Sequence, residues 1–248
     1  MQRRVLILLA LLSFLTFGVV AQEAPVRIVA TIAVQGAVEE IEPLLRARLS
    51  VPVTIEFATT AALVERLTNG ETVDIAILTQ EALQRLAASG YVHSPTDLVR
   101  SVVGIAVGDD APLPAMSTTE DFVAFMKATP SIAYTLRGVS GVHMAQLIER
   151  LGLADVVKPK AIIVDGFSGT PLREGKVAAA VQQISELKFA GAKKIVPLPD
   201  AIQVQTIFAV AVSKGTARAD AAAEIVRVLT STEAAAAYER SGTSPLFK

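Results

Sequence analysis

Polar residues that can bind an anion gather at four places where a predicted strand gives way to a predicted helix. The free N–H groups and the dipole at a helix N-terminus attract negative charge, and nearby hydroxyl and amide groups add hydrogen bonds. In open α/β sheets, ligands bind beyond the carboxyl ends of the strands, where such helices begin. A serine or threonine at these positions also suits a plain N-cap. The candidate ligand contacts are Thr31 and Gln35 in the first turn, Thr59 and Thr60 in the second, Arg137, Gly138, Ser140 and Gly141 in the third, and Gln182, Gln183 and Ser185 in the fourth.

Arg137 is the cation among these candidates. An arginine in a Gly/Ser-rich turn before a helix can hold a carboxylate or phosphate through two parallel hydrogen bonds. The alternative is a solvated loop arginine, and both interpretations stay open. Gln182 and Gln183 are neighbours on a predicted strand, so at most one of them should face a ligand.

Composition excludes several classes of chemistry. The chain has no cysteine and two histidines, so disulfides, thiolate metal sites and cysteine nucleophiles are ruled out, and no metal or other cofactor is expected. It has 23 basic and 24 acidic residues, which argues against a nucleic-acid partner. Ser140 lacks the glycine two residues later that a nucleophile elbow requires, because Val142 stands there. No glycine-rich phosphate loop is present.

The first 21 residues have the layout of a secretory signal peptide. Arg3 and Arg4 form a positive start, residues 5–20 are almost wholly apolar, and Val19 and Ala21 are small residues at the positions before a cut. We predict cleavage after Ala21 and export to the periplasm. The apolar run is short for a transmembrane helix of about 20 residues, so no stable membrane insertion is expected after cleavage.

The remaining chain alternates short strands with single helices, which predicts an α/β fold built from βαβ units. Two long apolar runs, 98–107 and 204–212, allow either one sheet or two lobes joined by these runs as hinge strands. We favour two lobes because each half has its own βαβ series and should bury its own core. The predicted division is lobe I at 22–103 with 206–248, and lobe II at 104–205.

The order of these features resembles the molybdate-binding group of exported solute-binding proteins, which have the type II periplasmic-binding fold. The resemblance covers nearly all of the chain after residue 21. It rests on the sequences VATIAVQGAVEEI (29–41), FATTAAL (57–63), VDIAI (73–77), GVSGVHMA (138–145) with IERLG (148–152), and VQQISEL (181–187).

This resemblance implies a hinged, two-lobed monomer that closes on a small anion and delivers it to the permease of an ABC importer. In molybdate binders the first turn supplies a serine to the oxyanion, and Ala33 stands at that place here. A second serine of the group corresponds to Thr60, which keeps a hydroxyl, and a tyrosine of the second lobe is replaced by Gln183. These departures favour a small organic acid over molybdate.

An enzyme is the alternative, because some proteins similar to this divergent group are aconitate isomerases. Such enzymes move a double bond in a tricarboxylate by proton transfer and need no cofactor. The reaction requires a base and a clamp for the carboxylates. Glu186, Asp165 and His143 are the candidate bases, and Arg137 is the candidate clamp. Each base also has a structural interpretation: a helix-start carboxylate, an Asp-Gly turn and a structural histidine, respectively.

Overall fold

The computed structural model describes residues 24–247, so the predicted signal peptide lies outside the described residues. The described chain alternates strands and helices, as predicted. The strands are β1 (Val26–Thr31), β2 (Val53–Ala58), β3 (Ile75–Thr79), β4 (Thr96–Val107), β5 (Ile132–Tyr134), β6 (Ala161–Ile163), β7 (Ala179–Gln183), β8 (Lys194–Pro197), β9 (Gln205–Val212) and β10 (Ser244–Pro245). The helices are α1 (Gln35–Arg48), α2 (Thr60–Thr68), α3 (Gln80–Ala88), α4 (Thr119–Ala128), α5 (Val139–Arg150), α6 (Ala154–Val157), α7 (Gly169–Arg173), α8 (Ile184–Phe189), α9 (Ala219–Leu229) and α10 (Thr232–Ser241). Single 3-10 turns span Ile32–Val34, Lys158–Lys160 and Asp200–Ile202.

The strands pair in the order β2-β1-β3-β9-β4-β7-β5-β6. β1 is parallel to β2 and β3, and β9 runs antiparallel between β3 and the first half of β4. The second half of β4, from Val103 to Val107, pairs instead with β7 and β8. β5 is parallel to both β6 and β7. The long strand β4 therefore takes part in both halves of the molecule.

Each half buries its own apolar core. In the first half, successive residues of β1 point to opposite faces: Ile28 packs towards α1, α9 and α10, and Val29 packs towards α2 and α3. In the second half, Phe122 and Met126 of α4 pack with α5, α6 and the sheet. The predicted two-lobed α/β architecture is confirmed. The residues at which one lobe ends and the other begins stay a prediction.

The chain crosses between the halves twice. The first crossing is β4 itself, between Val102 and Val103. The second is made by the residues just before β9, because β9 pairs only with β3 and the first half of β4. There the Gln203 amide binds the backbone of Val103, accepting its N–H and donating to its carbonyl, both at 2.9 Å. The two crossing segments are thus hydrogen-bonded to each other.

Two local differences from the sequence-based expectation affect the site. α5 begins at Val139, so Ser140 and Gly141, which the sequence analysis places in the turn before the helix, lie in its first turn, and Gly138 is the N-cap residue. The fourth polar turn is also partly helical, because β7 is followed at once by α8. Ser185 therefore lies on a helix. A helix of only six residues is too short to show a helical period in the sequence.

Candidate functional site

A cavity of about 920 Å³ lies between the two lobes. The carboxyl ends of β1, β2, β3, β5 and β7, with the helices that follow them, contribute its walls. A cavity of this size is typical of small-molecule sites. We call it the interlobe cavity.

Most of the predicted site residues line the interlobe cavity. They are Thr31, Ala33, Thr59, Thr60, Arg137, Gly138, Ser140, Gln182 and Gln183, together with the three candidate bases Glu186, Asp165 and His143. Gln35, Gly141 and Ser185 are outside the lining. Gln35 lies on α1 and donates to Glu39 at 2.7 Å, while Gly141 and Ser185 are buried in packing. Contact between any of these residues and a ligand stays a prediction.

The threonines at the helix starts have different roles. The Thr59 hydroxyl accepts the Ala62 N–H at 3.3 Å and so caps α2, and Thr79 caps α3 in the same way. Thr60 follows the cap as the first residue of α2. Thr31 precedes the first 3-10 turn without any capping bond from its side chain. The N-cap interpretation therefore holds for Thr59 and fails for Thr31.

The start of α5 forms one wall of the interlobe cavity. Its N-cap residue is Gly138, which has no side chain to satisfy the first N–H groups of the helix. Beside it, the Arg137 Nε lies 3.7 Å from Asp165 Oδ1, and these two side chains are 77% and 85% exposed. An exposed ion pair of this kind is weak and costs little to open. Arg137 is thus free to turn towards an anion at the helix start.

Both glutamines at the end of β7 line the interlobe cavity, and the expectation that at most one of them faces a ligand stays a prediction. The strand alternation ends at Gln183, because this residue already caps α8. The Gln182 Oε1 accepts the backbone N–H of Ser168 at 2.7 Å, and its Nε2 donates to the Gly166 carbonyl at 2.8 Å. Gln183 donates from Nε2 to the Thr206 hydroxyl at 3.0 Å. Each amide is held in place by these bonds.

Glu186 is a buried carboxyl on α8 that lines the cavity. Burial raises its pKa to about 8, against a smaller opposing contribution from the Gln183 N–H, which it accepts at 3.2 Å. At neutral pH this side chain is therefore mostly the uncharged acid. Glu186 does lie in the first turn of α8, as the structural interpretation from the sequence has it, but the side chain is buried and not solvated.

His143 stands one turn into α5 and also lines the cavity. Its Nε2 lies 2.7 Å from the carbonyl oxygen of Ile202. This bond fixes the ring by linking it to the 3-10 turn before the second crossing segment.

Ser185 joins the two lobes directly. Its hydroxyl donates to the Ala33 carbonyl at 2.7 Å, and both residues are buried. The backbone oxygen of Ala33 is thus bonded to the other half of the protein. The α8 helix also packs against α1, where a Cβ on Gly36 would lie 3.2 Å from the Phe189 ring.

Replacing Ser185 with alanine should lower the free energy of unfolding by about 1–2 kcal/mol, because the buried Ala33 carbonyl loses its donor. Chemical denaturation of Ser185→Ala and wild type measures the difference. Ser117→Ala, at an exposed position, is the control and should change stability by less than about 0.5 kcal/mol. Equal stability of Ser185→Ala and wild type would contradict the role assigned to this bond.

The charges around the interlobe cavity are paired on each side. Arg85 pairs with Glu81 on α3, and Arg137 pairs with Asp165 in the other lobe.

Within residues 24–247 no group of three or more His, Asp or Glu side chains is placed to hold a metal ion. No helix in that same range is long and apolar enough to cross a membrane.

Several lining residues escaped the sequence analysis. They are Thr79, Thr135, Arg85, Glu81 and Gln146. Thr135 follows β5 directly, so the strand-end rule that selected Arg137 would also have selected it. Arg85 and Gln146 lie further along their helices, where the sequence carries no signal for which face meets the other lobe.

Two α/β lobes joined by two hydrogen-bonded crossings, with a cavity between them at the strand ends, define the class of two-lobed solute-binding proteins. Residues 26–244 match the family model of the bacterial extracellular solute-binding proteins, and the chain belongs to this family. The predicted membership in the type II periplasmic-binding fold is confirmed by this match and by the structural neighbours.

Three relatives illustrate the range of the fold. The chain is 30% identical over 223 residues to an aconitate isomerase from a Pseudomonas species, which covers 86% of this chain and 85% of that protein. The periplasmic molybdate-binding protein of Azotobacter vinelandii superposes with a TM-score of 0.72 at 15% identity, covering 88% of this chain and 98% of that one. PEB3 of Campylobacter jejuni with bound L-phospholactate gives a TM-score of 0.66 at 16% identity, covering 88% and 99%. The two structures share the fold with this chain.

Proposed function

We propose that the interlobe cavity binds a small organic polycarboxylate and that the protein delivers it to the permease of an ABC importer. The observation that carries this proposal is the convergence of the α5 N-terminus, Arg137 and buried hydroxyls such as Thr31 on one cavity of about 920 Å³. These groups donate hydrogen bonds to carboxylate oxygens, and the helix dipole favours negative charge.

Apolar side chains in the lining favour a carbon skeleton over an inorganic oxyanion. Ile32 and Phe208 face the cavity from one lobe, and Val139, Val142 and Val204 face it from the other. At Ala33, which the resemblance to molybdate binders matches with a serine, this chain has no side-chain hydroxyl to offer an oxyanion. The likeness to PEB3 with L-phospholactate supports this choice, since that ligand is an organic anion.

Export and a monomeric state belong to the same proposal. The family is extracellular, and residues 1–21 carry the signal-peptide pattern with a cut after Ala21. We propose that the mature protein works in the periplasm as a monomer with lobe I at 22–103 and 206–248 and lobe II at 104–205.

Isothermal titration calorimetry of the mature chain with citrate, cis-aconitate, trans-aconitate, malate, molybdate and sulfate tests the ligand class. We expect dissociation constants in the micromolar range or below for at least one polycarboxylate, and weaker binding of both oxyanions. Tighter binding of molybdate or sulfate than of every carboxylate would contradict the proposal.

Replacing Arg137 with alanine should weaken binding of that polycarboxylate about 10- to 100-fold, because charge-assisted hydrogen bonds are lost. Titration calorimetry measures the change. Arg150→Ala removes an exposed arginine at the far end of the same helix and should leave the affinity unchanged. Equal affinities for the wild type and Arg137→Ala would remove this residue from the site.

A second candidate function is isomerisation of a tricarboxylate. Two observations favour it: the aconitate isomerase that is 30% identical over most of both chains, and the uncharged Glu186 in the lining. Incubation of the purified protein with cis- or trans-aconitate, followed by chromatography of the two isomers, tests it. Absence of conversion at high protein concentration would leave binding alone.

A further inference from the structure

Two titratable side chains line the interlobe cavity from the same lobe. His143 lies on α5 and Glu186 lies on α8, and the cavity between them is also lined by the start of α5. Asp165, the third candidate base, is paired with Arg137 and mostly exposed.

The bond to Ile202 fixes which nitrogen of His143 is free. A carbonyl oxygen can only accept a hydrogen bond, so Nε2, at 2.7 Å from it, carries the proton. In the neutral ring the lone pair is then on Nδ1. Nδ1 is therefore a fixed proton acceptor.

Glu186 has the complementary property. It is buried, and no arginine, lysine or histidine among the described residues is bonded to it. The Gln183 N–H supplies its hydrogen bond at 3.2 Å. A carboxyl kept in this environment retains its proton and can donate it into the cavity. Pairs of titratable groups whose surroundings hold them in opposite proton states are typical of acid–base catalysis.

We propose that His143 and Glu186 are the proton acceptor and proton donor for a 1,3-proton shift in an unsaturated polycarboxylate bound in the interlobe cavity. This inference rests on the proposed function, because it needs a polycarboxylate in the cavity. His143 Nδ1 removes a proton from the CH₂ group next to the double bond. The C–H electron pair forms the new double bond while the old π pair moves towards the conjugated carboxylate, and the far carbon of the old double bond then takes the proton of Glu186. Return of a proton to Glu186 and loss of one from His143 restore both groups, so no proton is gained or lost overall.

The anionic intermediate needs stabilisation where its charge collects. Removal of the CH₂ proton spreads negative charge onto the carboxylates conjugated with the double bond. The first N–H groups of α5, uncapped at Gly138, and Arg137 lie on the same cavity wall as His143. The N–H groups of α5 are fixed donors, which stabilise developing charge without reorganising during the reaction. The binding groups of the proposed function thus also serve the proton transfer.

Proton exchange in D₂O tests the pair directly. The wild type, Glu186→Gln and His143→Gln are each incubated with trans-aconitate and with cis-aconitate, and ¹H NMR follows deuterium entry at the CH₂ carbon and formation of the other isomer. Glutamine keeps a donor for the Ile202 carbonyl but cannot accept a proton. We expect both variants to bind the two ligands in calorimetry and to lose at least about 100-fold in isomer formation. His93→Gln and Glu239→Gln change exposed residues outside the cavity and should match the wild type.

The outcomes separate the two proposals. Binding of an aconitate by the wild type without exchange or isomer formation overturns the proton-transfer pair and leaves the binding function intact. If neither cis- nor trans-aconitate binds, the inference is overturned. If no polycarboxylate binds at all, the proposed function is overturned as well. Isomer formation by either variant within about threefold of the wild type, with binding retained, removes that residue from the pair.

Discussion

Replacing Gly141 with alanine should weaken binding of the polycarboxylate at least about 100-fold, the largest effect we expect from one methyl group in this protein. A Cβ at this position would lie 2.0 Å from the Thr135 carbonyl oxygen and 2.5 Å from the carbonyl carbon. These are backbone atoms and cannot turn away, so the first turn of α5 or the end of β5 must move. Either movement displaces the N–H groups that face the interlobe cavity. Calorimetry with the tightest polycarboxylate ligand measures the loss.

The direction of the stability change distinguishes this clash from an ordinary effect on the helix. In a helix interior, exchange of glycine for alanine normally stabilises by about 0.5–1 kcal/mol. At Gly141 we expect destabilisation by about 1–3 kcal/mol, because the extra atom must be forced into a filled space. Gly108→Ala is the control, since a Cβ there meets nothing within 4 Å. Stabilisation by Gly141→Ala, with binding unchanged, would contradict the close approach of α5 to Thr135.

The sequence identifies Gly141 for one physical reason, and the structure requires a glycine there for another. The sequence places this glycine in the polar turn after β5 and predicts a ligand contact. In the structure it lies within the first turn of α5 and is needed because the helix passes close to Thr135. Strand ends and helix starts can be predicted from the alternation of apolar residues. The distance between two backbones depends on packing that a single sequence does not encode locally.

Glu186 is a residue that the sequence identifies as a candidate for the site without predicting that its side chain is buried. Its side chain follows β7 by three residues, which was sufficient to place it near the cavity. Its burial depends on α8 packing between the lobes, against α1 on one side and β4 on the other. The same packing brings Ser185 to Ala33, 152 positions apart in the chain. Contacts between lobes are set by the relative placement of two cores, and residue spacing carries no signal for them.

The folding stability of this protein should fall as pH rises from about 5 to about 8, and Glu186→Gln should remove that part of the pH dependence. The pKa of Glu186 is about 8 in the folded protein against 4.5 as the ordinary value. Below the ordinary pKa both the folded and the unfolded chain hold the proton, so Glu186 contributes no difference. Between the two pKa values the unfolded chain releases its proton and the folded protein keeps it, so stability decreases.

The expected loss is roughly 3–5 kcal/mol, because each unit of pKa difference corresponds to about 1.4 kcal/mol. Urea denaturation of wild type and Glu186→Gln at pH 5 and pH 8.5 measures it. The two proteins should differ by less than about 1 kcal/mol at pH 5, where both side chains are uncharged in the folded state. At pH 8.5 Glu186→Gln should be the more stable by several kcal/mol.

The comparison between the two proteins isolates Glu186 from every other titrating group, because those groups are common to both. Glu239→Gln changes an exposed glutamate on α10 and should follow the wild type at both pH values. A parallel pH dependence of Glu186→Gln and wild type would mean that Glu186 is charged in the folded protein at neutral pH. A charged Glu186 would be unable to donate a proton and would repel a polycarboxylate. The same measurement therefore tests the chemistry of the interlobe cavity without any ligand, because the desolvation that destabilises the ionised acid is also what keeps its proton available.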